Sequence, residues 1–327
     1  MQKFYRTQQF TNGDVLKILR SIKTVEADND WDGISSAAQI KHYFPDVTVR
    51  ISGDKIVPSD QSTLVLDKWT NGEGWIVDHH TTSPYTTKNV LLFAESGEIP
   101  TSRLVYLLLE KSSNQDLFIS STAEITDDLY RTGLEEGSLS ELKARMPNYF
   151  EKSKLANQFL KSEEIYTIAD MLAIISQELP DYALRLGLSF YERIPNNSEE
   201  LKEMLNPENR KFIDNYENFM ANVDSIKFEE LELMGKRVNV LDRREIGKFY
   251  LPVLEVVRRK RKGNYILFRG NAVSVRTRDK QLLEAVLDNL KSVSSGYGGR
   301  ADAYGIKLKS PMNYEQFKHF LIHGAQQ

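Results

Sequence analysis

Helical and strand-like patterns alternate along the first third of the chain. Apolar residues at helical spacing predict helices over 14–23 and about 33–44, and Pro100 followed by Thr101 marks the start of another helix. Runs rich in apolar and β-branched residues predict strands over 24–27, 47–52, 63–67 and 74–78. Alternation of this kind is typical of an α/β fold, with a mostly parallel sheet and helices on both of its faces.

The pattern changes twice further along the chain. Residues from about 138 to 232 consist mostly of helix-favouring runs. From residue 236 strand patterns return, and an amphipathic helix, a glycine cluster and a last helix follow them. We therefore expect a first α/β domain over 1–205, a helical connector over 206–235 and a smaller C-terminal α/β domain over 236–327.

Composition limits the chemistry open to this chain. It has 327 residues and no cysteine, which excludes disulfides, thiolate zinc sites, iron–sulfur clusters and cysteine nucleophiles. Any bound metal must be held mainly by oxygen atoms, with help from the 5 histidines. The 43 basic and 46 acidic residues give a net charge of −3, which excludes a histone-like positive coat but allows a local basic groove. A polar start and the lack of a run of roughly 20 apolar residues favour a cytoplasmic protein outside the membrane.

Acidic residues follow three of the predicted strands. They are the motif Asp28-x-Asp30-x-Asp32-Gly33, then Asp67, then Asp78-His79-His80. Because the carboxyl ends of parallel strands meet at one edge of a sheet, we expect these side chains to converge there. Converging carboxylates repel one another, and a divalent cation is the simplest group that offsets the repulsion. Three plainer interpretations stay open: an acidic turn that caps a helix, a turn residue at position 67 and a pair of surface histidines.

A fourth acidic ligand is expected further along the chain. Asp127 follows the run 118–126 and has Asp128 beside it, whereas Asp170 lies within a helical apolar pattern and is expected to be structural. We therefore favour Asp127. The whole set supplies enough ligands for two metal ions, which is an arrangement used for in-line displacement at phosphorus. The residues thus predict metal-assisted hydrolysis of a phosphate ester or anhydride.

These motifs resemble those of the DHH phosphoesterase superfamily. The signature itself is Asp78-His79-His80, and the first acidic motif is similar to the family's His-x-Asp-x-Asp-Gly, with Asp28 in place of the histidine. Asp67 looks like the second motif and Asp127 like the fourth. In the C-terminal part, the run Gly298-Gly299-Arg300-Ala301-Asp302-Ala303-Tyr304-Gly305 is similar to Gly-Gly-His-x-x-Ala-x-Gly, with Arg300 in place of the histidine, and Ser274-Val275-Arg276 looks like a Ser-x-Arg strand. These motifs resemble the DHH-associated domain type 1 of the RecJ-like exonuclease and oligoribonuclease branch.

The resemblance implies two Mn²⁺ sites, with Mg²⁺ as the alternative ion. The implied ligands are Asp28 and Asp30 for one ion, Asp32, His79 and Asp127 for the other, and Asp67 as the bridge. Asp78 would orient the site, as carboxylates behind metal ligands do. His80 would contact the scissile phosphate or assist the leaving oxygen. Asp28 adds negative charge where the family has a neutral imidazole, and this favours harder ions.

The resemblance places substrate binding in the C-terminal domain, at Gly298, Gly299, Arg300 and Arg276. The two glycines would let main-chain N–H groups approach a phosphate, and Arg300 would add a bidentate donor, although a tight turn is the plainer interpretation. The expected activity is that of a nuclease on single-stranded nucleic acid or short oligonucleotides, with a homodimer left open. The alternatives are hydrolysis of cyclic or linear dinucleotides or of small phosphorylated nucleotides, and a non-catalytic replication scaffold.

Overall fold

The chain folds into two units, residues 1–215 and 216–327, and the boundary falls within one helix. The computed structural model describes residues 4–5, 12–54, 56–80, 89–94, 99–109, 113–127, 138–154, 163–221, 225–242, 263–300 and 303–324. Asp128, a candidate for the fourth acidic ligand, lies outside these ranges. Within them, no helix combines the length and the apolar character that a membrane span requires.

A mostly parallel sheet forms the centre of the first unit. Its described strands are, in chain order, β1 (Phe4–Tyr5), β2 (Thr24–Ala27), β3 (Thr48–Ile51), β4 (Ile56–Val57), β5 (Thr63–Leu66), β6 (Trp69–Thr70), β7 (Trp75–Asp78) and β8 (Val90–Ala94). Six of these run in the order β1-β8-β7-β5-β2-β3, and among them only β1 is antiparallel to its neighbour. The remaining two, β4 and β6, pair separately. This arrangement confirms the predicted α/β class.

Helices connect and cover these strands. Those described are, in chain order, α1 (Asn12–Ser21), α2 (Trp31–Tyr43), α3 (Thr101–Leu109), α4 (Asn114–Asp127), α5 (Ser138–Arg145), α6 (Glu164–Glu178), α7 (Pro180–Ser189), α8 (Ser198–Met204) and α9 (Pro207–Ala221). The run before Asp127 forms the helix α4, so this acid enters the site from a helix end. Asp170 lies within α6, in agreement with its helical apolar pattern.

The two faces of the first sheet are covered by different elements. Val25 and Leu64 lie on one face, in a buried cluster with apolar side chains of α1, α2 and α3. Val65 and Ile76 lie on the opposite face and pack with Trp69 of the small β4–β6 sheet. All of β5 is buried because it contributes to both clusters, and this explains its unbroken apolar run.

The helix α2 begins at Trp31, earlier than the predicted start at Gly33. Asp30 precedes it with an extended backbone, and its carboxylate accepts the N–H of Gly33 at 3.1 Å. This cap satisfies one of the main-chain donors that a helix start leaves unpaired. The helix therefore starts inside the acidic motif, and Asp32 lies in its first turn.

A second, mixed sheet forms the other unit. Its described elements are β9 (Glu229–Leu233), β10 (Lys236–Asp242), β11 (Asn264–Phe268), β12 (Ala272–Arg276), α10 (Lys280–Leu290), β13 (Ser294–Arg300), β14 (Ala303–Leu308) and α11 (Tyr314–His323). The strand order is β13-β14-β12-β11-β10-β9, and only β10 and β11 are parallel. Val240, Val273 and Ile306 from the sheet share a buried cluster with Val286 of α10 and Phe317 of α11.

The range 206–235, predicted as a helical connector, contains the helix α9 and then the strand β9. Leu231 and Leu233 alternate with acidic residues, which is the period of a strand with one apolar face. Leu231 pairs with Val238 of β10, and the side chain of Leu233 is buried. The strand forms because this pairing lets both leucines join the core of the second unit.

The described part of the glycine cluster lies in two paired antiparallel strands and not in the tight turn considered from the sequence. Gly298 and Gly299 lie within β13, which is an edge strand and pairs along its length with β14. Gly298 faces Gly305 across the pair, so no side chain stands at that crossing. The turn before the strand falls instead at residues 291–293.

Candidate metal centre

Asp28 and Asp67 follow neighbouring strands at the point where the strand order reverses. Ala27 at the end of β2 pairs with Leu66 at the end of β5, and the N–H of Asp28 donates to the carbonyl oxygen of Leu66 at 3.3 Å. The connection from β2 leads to β3 on one side, whereas β5 and β7 lie on the other. Such a switch point opens a crevice at the carboxyl ends of the strands. Both carboxylates are buried there, as the strand-end spacing predicted.

Asp67 turns the chain at the end of β5 with a left-handed backbone, at a φ of 59°. Aspartate is one of the few residues besides glycine that adopt this conformation readily. Its N–H donates to the carbonyl oxygen of Val77 at 3.1 Å, so the turn is held against β7. The simpler interpretation of Asp67 as a turn residue is therefore true of its backbone, while its carboxylate belongs to the acidic cluster.

Gly33 closes the acidic motif because another segment passes too near for a side chain. A Cβ at this position would lie 2.6 Å from the carbonyl oxygen of Asp28 and 2.9 Å from its Cα. The first turn of α2 therefore lies directly against the backbone that follows β2. This contact brings Asp28, Asp30 and Asp32 together from two elements although they alternate along the sequence.

His79 lies among three carboxylates. Its Nε2 is 3.3 Å from Oδ1 of Asp67, 3.7 Å from Oδ2 of Asp32 and 3.6 Å from Oδ2 of Asp127. The imidazole and the carboxylates of Asp32 and Asp67 are almost fully buried, and Asp127 is 13% exposed. His79 is therefore not a surface histidine, and the structure brings Asp127 to the predicted cluster.

Three groups of side chains among the described residues have the spacing of metal ligands, with donor atoms within 4.8 Å of one another. They are Asp28 with Asp30 and Asp67, Asp32 with His79 and Asp127, and Asp67 with His79 and His80. Asp67 and His79 each belong to two groups, so the groups form one continuous centre. Asp170 belongs to none of the three.

The donor set fits a pair of divalent cations. Burial raises the pKa of Asp32 well above its ordinary value, and the nearby carboxylates of Asp67, Asp127 and Asp30 raise it further. The N–H of Ser102 opposes this shift without cancelling it. Several buried carboxylates at this spacing destabilise one another when all are charged, and a bound cation would remove that cost. Oxygen and imidazole donors together suit Mn²⁺. The group of Asp28, Asp30 and Asp67, which has only oxygen donors and is called the all-oxygen group below, also suits Mg²⁺.

Asp78 holds His80 at the edge of this centre. Oδ1 of Asp78 lies 2.7 Å from Nδ1 of His80 and also accepts the N–H of His80 at 3.3 Å. Burial alone would lower the pKa of His80, but the carboxylates of Asp78 and Asp67 outweigh it and raise the pKa. Asp78 is fully buried, whereas the side chain of His80 is 23% exposed. His80 is thus held in one orientation and remains accessible from outside.

The start of α3 belongs to the site as well, although the sequence marked it only as a helix start. The carboxylate of Asp32 accepts the N–H of Thr101 at 2.8 Å and the N–H of Ser102 at 2.7 Å. The hydroxyl of Thr101 donates to Oδ1 of Asp67 at 3.1 Å. Only the position of Thr101 and Ser102 along the chain could have placed them in the site. The start of a helix that follows strands of a parallel sheet lies at the same edge as the strand ends.

Trp31 packs the acidic motif against the helix α4. Its Nε1 donates to the hydroxyl of Thr122 on α4 at 3.0 Å, and its ring packs edge-on against Phe190. The side chain is almost completely buried. Because Trp31 lies between Asp30 and Asp32, this packing fixes the start of α2 against the helix that ends at Asp127.

The predicted substrate-binding residues lie together in the second unit. Arg276 on β12 pairs with Ala303 on β14, and Ala303 also pairs with Arg300 on β13. These three positions therefore share one face of the sheet, next to the Gly298–Gly305 crossing. Arg276 is 8% exposed, and one of its guanidinium nitrogens donates to the carbonyl oxygen of Val275 at 3.2 Å.

No family model matches the sequence, and no curated protein matches it. Solved structures do match. Exonuclease RecJ bound to manganese is similar over 97% of this chain and 94% of its own, at 15% identity and a TM-score of 0.57. The DHH domain of a member of a ribosomal protein family matches 94% of this chain and 87% of its own, at 11% identity and a TM-score of 0.62. CDC45 from Entamoeba histolytica matches 95% of this chain and 97% of its own, at 8% identity and a TM-score of 0.53. These comparisons confirm that the chain has the fold of DHH proteins.

Proposed function

We propose that this chain is a metal-dependent phosphodiester hydrolase. The observation that supports this most directly is the continuous centre of ligand groups that share Asp67 and His79. Carboxylate and imidazole side chains are placed there by the ends of β2, β5 and β7 and by α2 and α4. A purely structural acidic turn would not gather donors from five separate elements into one buried cluster.

Two Mn²⁺ ions are the proposed cofactors, with Mg²⁺ as the alternative. Asp28 and Asp30 would hold one ion, Asp32, His79 and Asp127 the other, and Asp67 both. When bound, these cations supply Lewis acidity, which stabilises charge that develops on phosphoryl oxygens and makes water a better nucleophile at neutral pH. The RecJ structure with the same fold was solved with manganese.

His80 is proposed to protonate the leaving oxygen. Since the Asp78 carboxylate accepts at Nδ1, the Nδ1 nitrogen carries a proton, and Nε2 is the atom left for proton transfer. The Asp78 carboxylate, which is not among the proposed metal ligands, favours the protonated form of His80 through its charge and its hydrogen bond, and so raises the pKa of His80. Asp78 acts through His80 by holding its orientation and its charged form.

Single-stranded nucleic acid or a short oligonucleotide is the proposed substrate. This choice rests on the positions of Arg276 and Arg300 on one face of the second sheet, since arginine is the residue best suited to bidentate binding of phosphates. The similar fold of an exonuclease agrees with it. Cyclic or linear dinucleotides are the second candidate, because the same two arginines would serve a substrate with only two phosphate groups.

A non-catalytic scaffold is the contrasting possibility, since proteins of this fold include CDC45 as well as an exonuclease. In a scaffold without metal ions, buried carboxylates that repel one another would only destabilise the fold. Here the motif positions Asp30, Asp32, Asp67, His79 and Asp127 all carry ligand side chains and lie together. The retained centre therefore favours the enzyme.

The test is hydrolysis of a labelled oligonucleotide series from two to about twenty nucleotides, in Mn²⁺, by the wild-type chain and by Asp67→Ala. We expect wild-type turnover and a loss of at least about a hundredfold in the variant, because changes to supporting groups alone cost metal sites about 10- to 100-fold and Asp67 is a proposed ligand of both ions. Asp46→Asn, an exposed carboxylate outside the ligand groups, is the matched control and should keep full turnover. No cleavage of any DNA or RNA length by the wild type would refute the proposal.

A further inference from the structure

The first two residues of α3 hold two of the candidate metal ligands at once. Each oxygen of the Asp32 carboxylate accepts one main-chain N–H, from Thr101 at 2.8 Å and from Ser102 at 2.7 Å. The Thr101 hydroxyl donates to Oδ1 of Asp67 at 3.1 Å. Thr101 and Ser102 are both completely buried, so water does not compete for these hydrogen bonds.

A contact from α2 fixes the start of α3 in turn. Nε2 of Gln39 donates to the carbonyl oxygen of Ser102 at 3.1 Å and to its hydroxyl at 2.8 Å. Gln39 is fully buried on the same helix that carries Asp32. The helix that presents Asp32 therefore also anchors the donors that orient it, so the carboxylate and its donors form a rigid unit.

The Thr101 hydroxyl acts where the ligand groups overlap. Asp67 belongs to the group with Asp28 and Asp30 and to the group with His79 and His80. Its Oδ1 also lies 3.3 Å from Nε2 of His79. A hydrogen bond that fixes this oxygen therefore affects ligands of both proposed ions.

We propose that Thr101 is a positioning residue for the metal centre, one that orients the shared Asp67 carboxylate through its hydroxyl and Asp32 through its N–H. The proposal deepens the proposed function and rests on it. A neutral hydroxyl suits this position because it donates one hydrogen bond without adding a charge that would compete with a cation. Asp67 keeps its other lone pairs for metal coordination.

Two substitutions at position 101 separate the hydroxyl from the shape of the side chain. Thr101→Val keeps the branched shape and removes the donor, whereas Thr101→Ser keeps the donor and removes the methyl group. Removal of groups that orient metal ligands typically lowers metal affinity by about 10- to 100-fold. We therefore expect Thr101→Val to bind Mn²⁺ about 10- to 100-fold more weakly, and Thr101→Ser to stay near the wild-type affinity.

The experiment is calorimetric titration of the full chain with Mn²⁺, together with kcat and KM for an oligonucleotide and thermal melting in EDTA. Weak Mn²⁺ binding and a lower kcat in Thr101→Val, with KM unchanged and Thr101→Ser restored, support the proposal. If Thr101→Val binds Mn²⁺ like the wild type, or if both variants lose affinity in proportion to their melting temperatures, Thr101 is only structural and the proposal is overturned. If the wild type itself binds no Mn²⁺, the proposed function fails first.

Discussion

Replacement of Gly33 by alanine tests why the acidic motif must end in glycine. The new methyl group would lie 2.6 Å from the carbonyl oxygen of Asp28, and ordinary contacts begin at 3.4 Å, so the two segments must separate by about 0.8 Å. Overpacking of this kind costs about 1–3 kcal/mol. A glycine-to-alanine change inside an unobstructed helix has the opposite sign and stabilises by up to about 1 kcal/mol. A loss of stability in Gly33→Ala would therefore show that α2 lies against Asp28, whereas a gain would show that the position is open.

The assay is urea denaturation in EDTA, followed by Mn²⁺ titration of the folded variant. Gly33→Ala should lower the free energy of unfolding by about 1–3 kcal/mol and weaken Mn²⁺ binding, because Asp28 is displaced from its partners. Gly13→Ala, at an exposed position of α1, is the control and should leave the free energy of unfolding unchanged or raise it by up to about 1 kcal/mol. A Gly33→Ala variant with unchanged stability and unchanged Mn²⁺ affinity would refute the close packing of α2 on Asp28.

Three further predictions concern charge and metal choice. Because the pKa of Asp32 is raised, the stability that this carboxyl contributes is present below pH 3.8 and is lost as the pH rises through its folded-state pKa. Denaturation in EDTA should therefore show the unfolding free energy falling with rising pH, and Asp32→Asn should flatten that fall. Asp28→His puts an imidazole into the all-oxygen group and should raise the Mg²⁺ concentration needed to displace Mn²⁺, measured by electron paramagnetic resonance. Arg300→Ala should raise KM more than it lowers kcat in steady-state oligonucleotide cleavage, because Arg300 is proposed to bind a phosphate of the substrate and is not among the residues proposed for the reaction itself.

The strand-end acids were predictable because their position follows from strand periodicity alone. The runs before Asp67 and Asp78 are short and mostly apolar, the run before Asp28 alternates polar with apolar residues, and parallel strands bring their carboxyl ends to one edge. Asp127 was favoured only as the acid that follows the run 118–126, for which no element was predicted; that run is the helix α4, and it brings Asp127 beside Asp32 and His79. A short apolar run with small residues does not distinguish a buried helix from a strand.

The contacts that hold the acids in place were not predictable in the same way. The donors to Asp32 are main-chain N–H groups, which every residue except proline carries, so no residue type marks them. The early start of α2 depends on the Asp30 cap, and aspartate serves equally as a cap and as a ligand. The strand β9 was not predicted because its charged side chains face outward and the sequence around it is charged and mostly helix-favouring.

The central claim is that the acidic crevice of the first unit is a two-metal centre. Anomalous diffraction from a crystal of the full chain grown with Mn²⁺, recorded on both sides of the manganese absorption edge, tests it most directly. The account predicts two peaks, one among Asp28, Asp30 and Asp67 and one among Asp32, His79 and Asp127, and their loss in Asp67→Ala. An ordered crevice without manganese peaks at saturating Mn²⁺ would contradict it.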